Sequence, residues 1–152
     1  LHDIYFYWED MVINRDGTRT RHYSMLKDIN GEVLAWGPTL LRLESTGIYF
    51  TEPLPDMTRS ITESRLVESI RGGMCMVGEF KHKDGSSYMM LVNRDFLNPL
   101  TAKVKLRKTP GTLLEISKSN GAREAATGYS PWERELKVEF TAGDGRLFCL
   151  KK

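Results

Sequence analysis

The chain has 152 residues, of which 40% are apolar and 28% charged, an ordinary composition for one soluble globular domain. Its 22 basic and 20 acidic residues leave a net charge of +2, which argues against nucleic acid as the main partner. No apolar run approaches the roughly 20 residues that a membrane-spanning helix needs. We therefore expect neither a nucleic-acid-binding protein nor a membrane span.

The N-terminal segment indicates a strand that belonged to a larger unit. The chain begins with Leu1 rather than methionine and shows no signal peptide, so we expect that a preceding segment was removed by processing or by excision of a domain. Asp3–Trp8 (DIYFYW) is rich in aromatic residues, which is typical of a strand. Asn14–Gly17 (NRDG) predicts a turn after it.

A helical pattern follows this turn. Apolar residues recur at spacings of three and four, which predicts an apolar face directed at a neighbouring surface. We expect a main helix over residues 19–36 with Thr18 or Thr20 as its N-cap. Because proline lacks a backbone donor and disfavours helix in the residue before it, Pro38 should begin a separate turn that runs to Leu43. The predicted stripe consists of Leu26, Ile29, Val33, Trp36, Leu40 and Leu43.

The stretch Gly72–Asp95 gives the clearest fold signal. Two apolar runs, Met74–Phe80 and Ser87–Asn93, flank a polar turn with Asp-Gly at its centre, and this dipeptide tolerates the positive φ of hairpin turns. Nearly every side chain of both runs is apolar, so other parts of the protein should cover both faces of the hairpin. We predict the central hairpin of a layered β domain.

From Ile48 onward the sequence shows about eight short strands separated by turns and no second helical segment, a pattern that favours a sandwich. The loop after the hairpin should hold one apolar plug, Phe96 or Leu97. We divide the chain into residues 1–45, an aromatic strand and helical arm, and residues 46–152, the sandwich. The predicted fold class is therefore mainly β, an antiparallel β-sandwich of about eight short strands preceded by an N-terminal helical arm. Besides the hairpin, the expected strands are Thr46–Thr51, Leu66–Ile70, Thr101–Leu106, Leu113–Ser117, Leu136–Phe140 and Leu147–Leu150, with residues 122–131 as a loop.

Cysteine and histidine residues give no metal or cofactor signal. Cys75 and Cys149 each lie inside an apolar run, where a small buried thiol is expected, and a disulfide would require their strands to be neighbours. His2, His22 and His82 are far apart and lie in polar surroundings. We predict no metal site and no cofactor.

Patterns for catalysis are also missing. The sequence contains no G-x-S-x-G and no phosphate-binding G-x-x-x-x-G-K loop. The acidic pairs Glu9/Asp10 and Glu133/Glu135 could serve acid–base chemistry, but Glu135 lies on the outward phase of an alternating strand. A solvated surface is the better interpretation, and we predict no catalytic residue in this chain.

Two groups of aromatic residues are candidate carbohydrate-binding sites. Tyr129 and Trp132, in the loop GYSPWER, could stack on a sugar ring, or could simply plug the edge of the sandwich. Trp8 stands at the C-terminal end of the first predicted strand, which is where (β/α)-barrel enzymes keep their sites. This chain has too few strands and helices to build a barrel itself.

Several segments resemble a known enzyme family. LKDINGEV followed by LAWGPTLLRLESTGIYFT is similar to the end of the catalytic barrel in multidomain (β/α)8-barrel glycoside hydrolases, β-galactosidase-like enzymes among them. GEFKHKDGSSYMMLVNRD and LKVEFTAGDGRLFCL resemble hairpins of the C-terminal β-sandwich that follows in those enzymes. The resemblance covers most of Asp16–Lys152.

The resemblance implies a non-catalytic accessory domain that supports or packs against the catalytic barrel of a glycoside hydrolase. Its partner would be the upstream catalytic domain of the same chain, and the family implies an extracellular or periplasmic location. The catalytic carboxylates of such barrels lie on earlier strands, so none is carried over; Trp8 alone would correspond to a substrate-lining aromatic residue. The alternative is a carbohydrate-binding module that uses Tyr129 and Trp132. An independent small enzyme is disfavoured because no set of catalytic residues converges.

Overall fold

The computed structural model describes residues 12–151, which form a mainly β fold of two sheets with one α-helix at the N-terminal side. The fold class predicted from the sequence is confirmed. The helix α1 spans Arg21–Leu40, and the strands are β1 Leu43–Phe50, β2 Arg59–Ser60, β3 Val67–Arg71, β4 Cys75–His82, β5 Ser87–Asn93, β6 Leu100–Leu106, β7 Thr112–Ile116, β8 Arg123–Ala125, β9 Tyr129–Ser130, β10 Glu135–Phe140 and β11 Gly145–Lys151, with a 3-10 turn at Ile61–Glu63.

The larger sheet has the strand order β2-β1-β4-β5-β11-β7-β8, and the smaller sheet has the order β3-β6-β10-β9. Neighbouring strands are antiparallel except β1 and β2, which pair in parallel over two residues. The described residues hold eleven strands rather than about eight. Two of the additional strands, β8 and β9, lie in the segment 122–131, which the sequence predicts as a loop. The sequence pattern did not predict them because each is short and pairs with a strand elsewhere in the chain.

The central hairpin β4–β5 is covered on both faces, as predicted. Successive residues of a strand point to opposite faces of the sheet, so Met89 enters the core between the two sheets and Tyr88 enters a second cluster beneath the helix. Gly85 closes the turn with a φ of +87°. The core between the sheets includes Val77, Leu91, Val104, Leu136 and Phe148, and the cluster beneath the helix includes Trp36, Ile116, Leu147 and Cys149.

The two cysteines lie on opposite faces of the larger sheet. Cys75 belongs to the core between the sheets, and Cys149 belongs to the cluster beneath the helix. Both are buried free thiols, as expected for cysteines inside apolar runs. Burial raises the pKa of the Cys75 thiol to about 11. The open alternative of a disulfide between them is therefore not realised.

The helix begins where the sequence predicts and ends later than expected. Thr20 is the N-cap, and its hydroxyl accepts the backbone N–H of His22 at 3.2 Å. The prediction of a break before Pro38 is wrong, because a proline in the last turn removes a single helical hydrogen bond and the helix continues to Leu40. Leu43 begins β1 instead of ending a second helical turn.

The prediction of an apolar plug after the hairpin is also wrong. Phe96 is 82% exposed and Leu97 is 87% exposed. A polar side chain closes this loop instead: Asn93, fully buried, donates hydrogen bonds to the carbonyl oxygens of Asn98 at 2.9 Å and Thr141 at 3.0 Å. The loop therefore needs no apolar anchor, and its two large apolar side chains extend into solvent.

Candidate functional site

Trp132 lies on the turn between β9 and β10 and is 96% exposed. Hydrogen bonds from Arg134 hold this turn: its guanidinium donates to the Arg107 carbonyl oxygen at 2.6 Å and to the Glu68 carboxylate at 3.4 Å. Arg134 has a φ of +52°, a conformation that is uncommon for residues other than glycine. The turn thus presents the indole to solvent from a fixed backbone.

Tyr129, the predicted partner of Trp132, has a different environment. Its ring is partly buried and packs against the core between the sheets. Its hydroxyl is buried and has no hydrogen-bond partner among the residues that the structure describes, and burial raises the pKa of the phenol. Of this pair, Trp132 is therefore the residue that offers a ring face to a ligand. Trp8, the third predicted site residue, lies outside the described residues.

A cavity of about 780 Å³ lies between the C-terminal end of the helix and the tip of the central hairpin. Arg42, Lys81 and Lys83 line it, together with Glu44. Hydrolysis of a glycosidic bond needs two carboxyl groups on either side of the bond, and the described lining of this cavity supplies one. Its excess of basic groups would attract an anion.

Of the acidic residues flagged in the sequence, Glu135 forms a surface ion pair. Glu135 accepts a hydrogen bond from the Arg71 guanidinium at 2.9 Å. Glu139, on the same outward face of β10, lies 3.3 Å from the ammonium of Lys137. Exposed pairs of this kind contribute about 1 kcal/mol or less to stability. Glu9 and Asp10 lie outside the described residues.

Glu79 is a buried carboxylate that the sequence patterns did not identify as a site. It is 1% exposed and accepts hydrogen bonds from the Ser64 hydroxyl and from the backbone N–H of Leu66 at 3.0 Å. These bonds fasten the segment before β3 to the larger sheet. The available signal was a single charge inside the apolar run MCMVGEF. Because its partners are a hydroxyl and backbone amides, its role is structural.

The C-terminal half of α1 is fixed to the sandwich. Trp36 is 8% exposed, and its indole nitrogen donates a hydrogen bond of 3.0 Å to the carbonyl oxygen of Ile116. The helix approaches the loop after β7 very closely at Gly121, which has a φ of +71°. A Cβ atom on Gly121 would lie 2.3 Å from the carbonyl oxygen of Ala35. Only glycine leaves room for this close approach of the loop to Ala35. The contact therefore fixes the C-terminal half of the helix against the loop after β7.

The N-terminal half of the same helix has three apolar side chains that the described residues leave largely exposed. Met25, Ile29 and Val33 are 58%, 53% and 47% exposed, and we call these three residues the helix stripe. Their spacing of four places them on the same face as the buried Trp36. Scattered apolar residues are normal on protein surfaces, but an aligned set that continues a buried face marks an interaction site. The helix stripe is therefore a candidate functional surface.

Residues 12–151 contain no cluster of three or more histidine, cysteine, aspartate or glutamate side chains that could hold a metal ion. No helix in that range is long and apolar enough to cross a membrane. The chain matches no family model, and no curated protein or solved structure is similar to it at a significant level. The functional inference is therefore carried by the chain's own surfaces and sequence motifs.

Proposed function

We propose that this chain is a non-catalytic accessory domain that packs, through the helix stripe, against the catalytic barrel of a glycoside hydrolase in the same polypeptide. The observation that carries the proposal is the half-covered helix, buried at Trp36 and exposed at Met25, Ile29 and Val33. The glycoside hydrolase class is supported by the resemblance of the helical segment and of two hairpins to the end of such enzymes. The helix then joins two units and covers apolar surface on each.

The size of the helix stripe favours a partner in the same polypeptide. Complete burial of an aliphatic side chain contributes about 1.5–3 kcal/mol, so covering the exposed half of these three would contribute roughly 3 kcal/mol. Such a gain is small against the roughly 4–15 kcal/mol that free association costs. A covalently attached domain is kept at an effective concentration in the millimolar range, so it needs less contact energy than a free partner does.

Hydrolysis of nitrophenyl glycosides tests the catalytic side of the proposal. We expect no hydrolysis by residues 1–152 alone and hydrolysis by a polypeptide that includes the coding sequence upstream of Leu1. Replacement of paired carboxylates in the upstream part should abolish the activity without unfolding residues 12–151. Hydrolysis by this chain alone, or an upstream sequence that encodes no barrel, would contradict the proposal.

Carbohydrate binding at Trp132 is the second candidate function, and the 96% exposure of this indole on a fixed turn favours it. The flat apolar face of an indole suits stacking on the C–H face of a pyranose. Calorimetric titration with a panel of glycans should then show binding that Trp132→Ala removes. The matched control is Phe96→Ala, which removes another exposed aromatic ring and should leave binding unchanged. Absence of binding to every glycan tested would rule this function out.

A further inference from the structure

The cavity between the C-terminal end of α1 and the tip of the central hairpin is lined by basic side chains that have no internal partner. Arg42, Lys81 and Lys83 line it and are exposed, and Glu44 supplies a carboxylate to the same lining. None of the three basic side chains forms an ion pair or a hydrogen bond within the part of the chain that the structure describes. Their charges and donors are therefore available to a ligand.

The negative groups near this cavity do not cancel its positive charge. His82 also lines the cavity, and its Nδ1 lies 2.9 Å from the carboxylate of Asp84. The C-terminal end of α1 adds a partial charge of roughly −0.5. Even when His82 is neutral, the three basic side chains carry more charge than Glu44, Asp84 and the helix end together. A cleft with an excess of one sign concentrates ions of the opposite sign.

The backbone that carries these side chains is held in place from both sides. β1 and β4 pair in antiparallel register up to the edge of the cavity. The N–H of Gly85 donates to the carbonyl oxygen of His82 at 3.0 Å and closes the hairpin tip. The N–H of Arg42 donates to the carbonyl oxygen of Thr39 at 3.0 Å and fixes the residue that follows the helix. A ligand would therefore order only side chains, which lowers the entropic cost of binding.

We propose that this cavity binds the oxyanion group, a phosphate, sulfate or carboxylate, of a small ligand. The guanidinium of Arg42 matches such groups with two parallel hydrogen bonds, and the ammonium groups of Lys81 and Lys83 add point charges. The volume of about 780 Å³ lies within the roughly 300–1,000 Å³ of ligand-binding cavities. The Glu44 carboxylate can accept hydrogen bonds from ligand hydroxyl groups, so a hydroxylated anion fits this lining. The site does not depend on the helix stripe or on the accessory-domain proposal.

Calorimetric titration of this chain with inorganic pyrophosphate at constant ionic strength tests the proposal. We expect saturable binding that Arg42→Gln, Lys81→Gln and Lys83→Gln each weaken about two- to fivefold. Glu44→Gln should strengthen the binding of pyrophosphate, because it removes a negative charge from the lining. All four side chains are exposed, so the variants should keep the Tm of the wild type.

Lys27→Gln is the matched control. It makes the same change in charge at another exposed side chain, about 20 Å along the helix axis from Leu40. Binding of pyrophosphate by this variant should equal that of the wild type. An equal loss in Lys27→Gln and in the cavity variants would show attraction by the net charge alone and would overturn the site.

Two further probes distinguish the sources of the oxyanion. Tighter binding of glucose 6-phosphate than of galacturonate would assign the site to phosphate-bearing ligands, and the reverse order would assign it to acidic sugars. Either order supports an oxyanion site, whereas neutral glucose should not bind. Absence of saturable binding of all three anions up to about 10 mM would overturn the proposal. Binding that none of the three basic substitutions weakens would do the same.

Discussion

The indole nitrogen of Trp36 donates a 3.0 Å hydrogen bond to the carbonyl oxygen of Ile116, a residue 80 positions further along the chain. This bond and the burial of the indole in the cluster beneath the helix hold the C-terminal half of α1 on the larger sheet. The apolar face that contains Trp36 continues uncovered toward the N-terminus of the helix. The C-terminal half of this helix therefore packs on the sandwich. We propose that its N-terminal half packs on a second domain.

Removal of the Trp36 side chain should weaken the fold strongly. Trp36→Ala leaves a cavity beneath the helix and an unpaired carbonyl at Ile116, and we expect a loss of about 3–5 kcal/mol in the free energy of unfolding. Leu34→Ala is the matched control on the same helix, where the side chain is 75% exposed, and its effect should be within about 0.5 kcal/mol. Urea unfolding measures both. Equal effects would mean that the helix is not anchored at Trp36.

Two substitutions of glycine by alanine should change the stability of the fold in opposite directions. Gly121→Ala forces a side chain into a left-handed backbone against the Ala35 carbonyl oxygen, so it should destabilise the chain by more than about 1 kcal/mol. Gly31→Ala adds a methyl group that meets nothing within 4 Å in a helix interior, so it should stabilise by roughly 0.5–1 kcal/mol. Thermal unfolding distinguishes the two. A stabilising Gly121→Ala would show that the helix does not approach this loop.

The Glu79 carboxylate should be required for stability. Glu79→Gln keeps the size of the side chain and an oxygen for Ser64 and Leu66, but its NH2 group then faces the backbone N–H of Arg65 in a buried site, so we expect a loss of about 2 kcal/mol in the free energy of unfolding. Glu139→Gln, on the exposed face of β10, should cost less than about 0.5 kcal/mol. Chemical denaturation of both variants provides the comparison. A neutral Glu79→Gln would show that the segment before β3 is held by other contacts.

Side-chain periodicity made most of the fold predictable. Two apolar runs around Asp-Gly located the central hairpin, and alternation over two residues located the inward faces of β6 and β10. In each case the burial of one face or of both determines which residue types the strand contains. The strand β8 has three residues and β9 has two, and each forms only by pairing with another strand. A local sequence pattern therefore does not predict them. The continuation of the helix through Pro38 also escaped prediction, since proline is tolerated in a last turn.

The candidate surfaces were predictable in part. Ile29 and Val33 belong to the stripe predicted from the sequence, whereas Met25 was not predicted and the predicted Leu26 is half-buried. The point at which this helix face leaves the sandwich depends on the corner formed by Lys118 and Gly121. The loop GYSPWER suggested two aromatic ligand contacts, whereas Tyr129 packs into the core and Trp132 faces solvent. Exposure depends on tertiary packing, which a local sequence pattern does not record. For the same reason one of the two side chains Phe96 and Leu97 was expected to be buried, whereas both are exposed.

The hairpin turn should contribute a pH-dependent part of the stability. Hydrogen bonds from the hydroxyl and the backbone N–H of Ser86, with the nearby His82 ring, hold the pKa of Asp84 well below its usual value. A carboxyl whose pKa is lowered by folding stabilises the folded state above its unfolded pKa of about 4, and this contribution is lost as the pH falls through the folded pKa. The Tm of the wild type should therefore fall relative to that of Asp84→Asn as the pH is lowered from 6 to about 2. A difference in Tm that is constant with pH would contradict this.

Hydrogen–deuterium exchange of the α1 amides tests the central claim most directly. Residues 34–40, packed on the sandwich, should exchange equally slowly in residues 1–152 alone and in the polypeptide that includes the upstream coding sequence. Residues 21–33 should exchange rapidly in the isolated chain and at least about tenfold more slowly in the longer polypeptide, because a preceding domain would cover the helix stripe. Equal exchange of residues 21–33 in the two proteins would show that nothing packs on the stripe and would contradict the account.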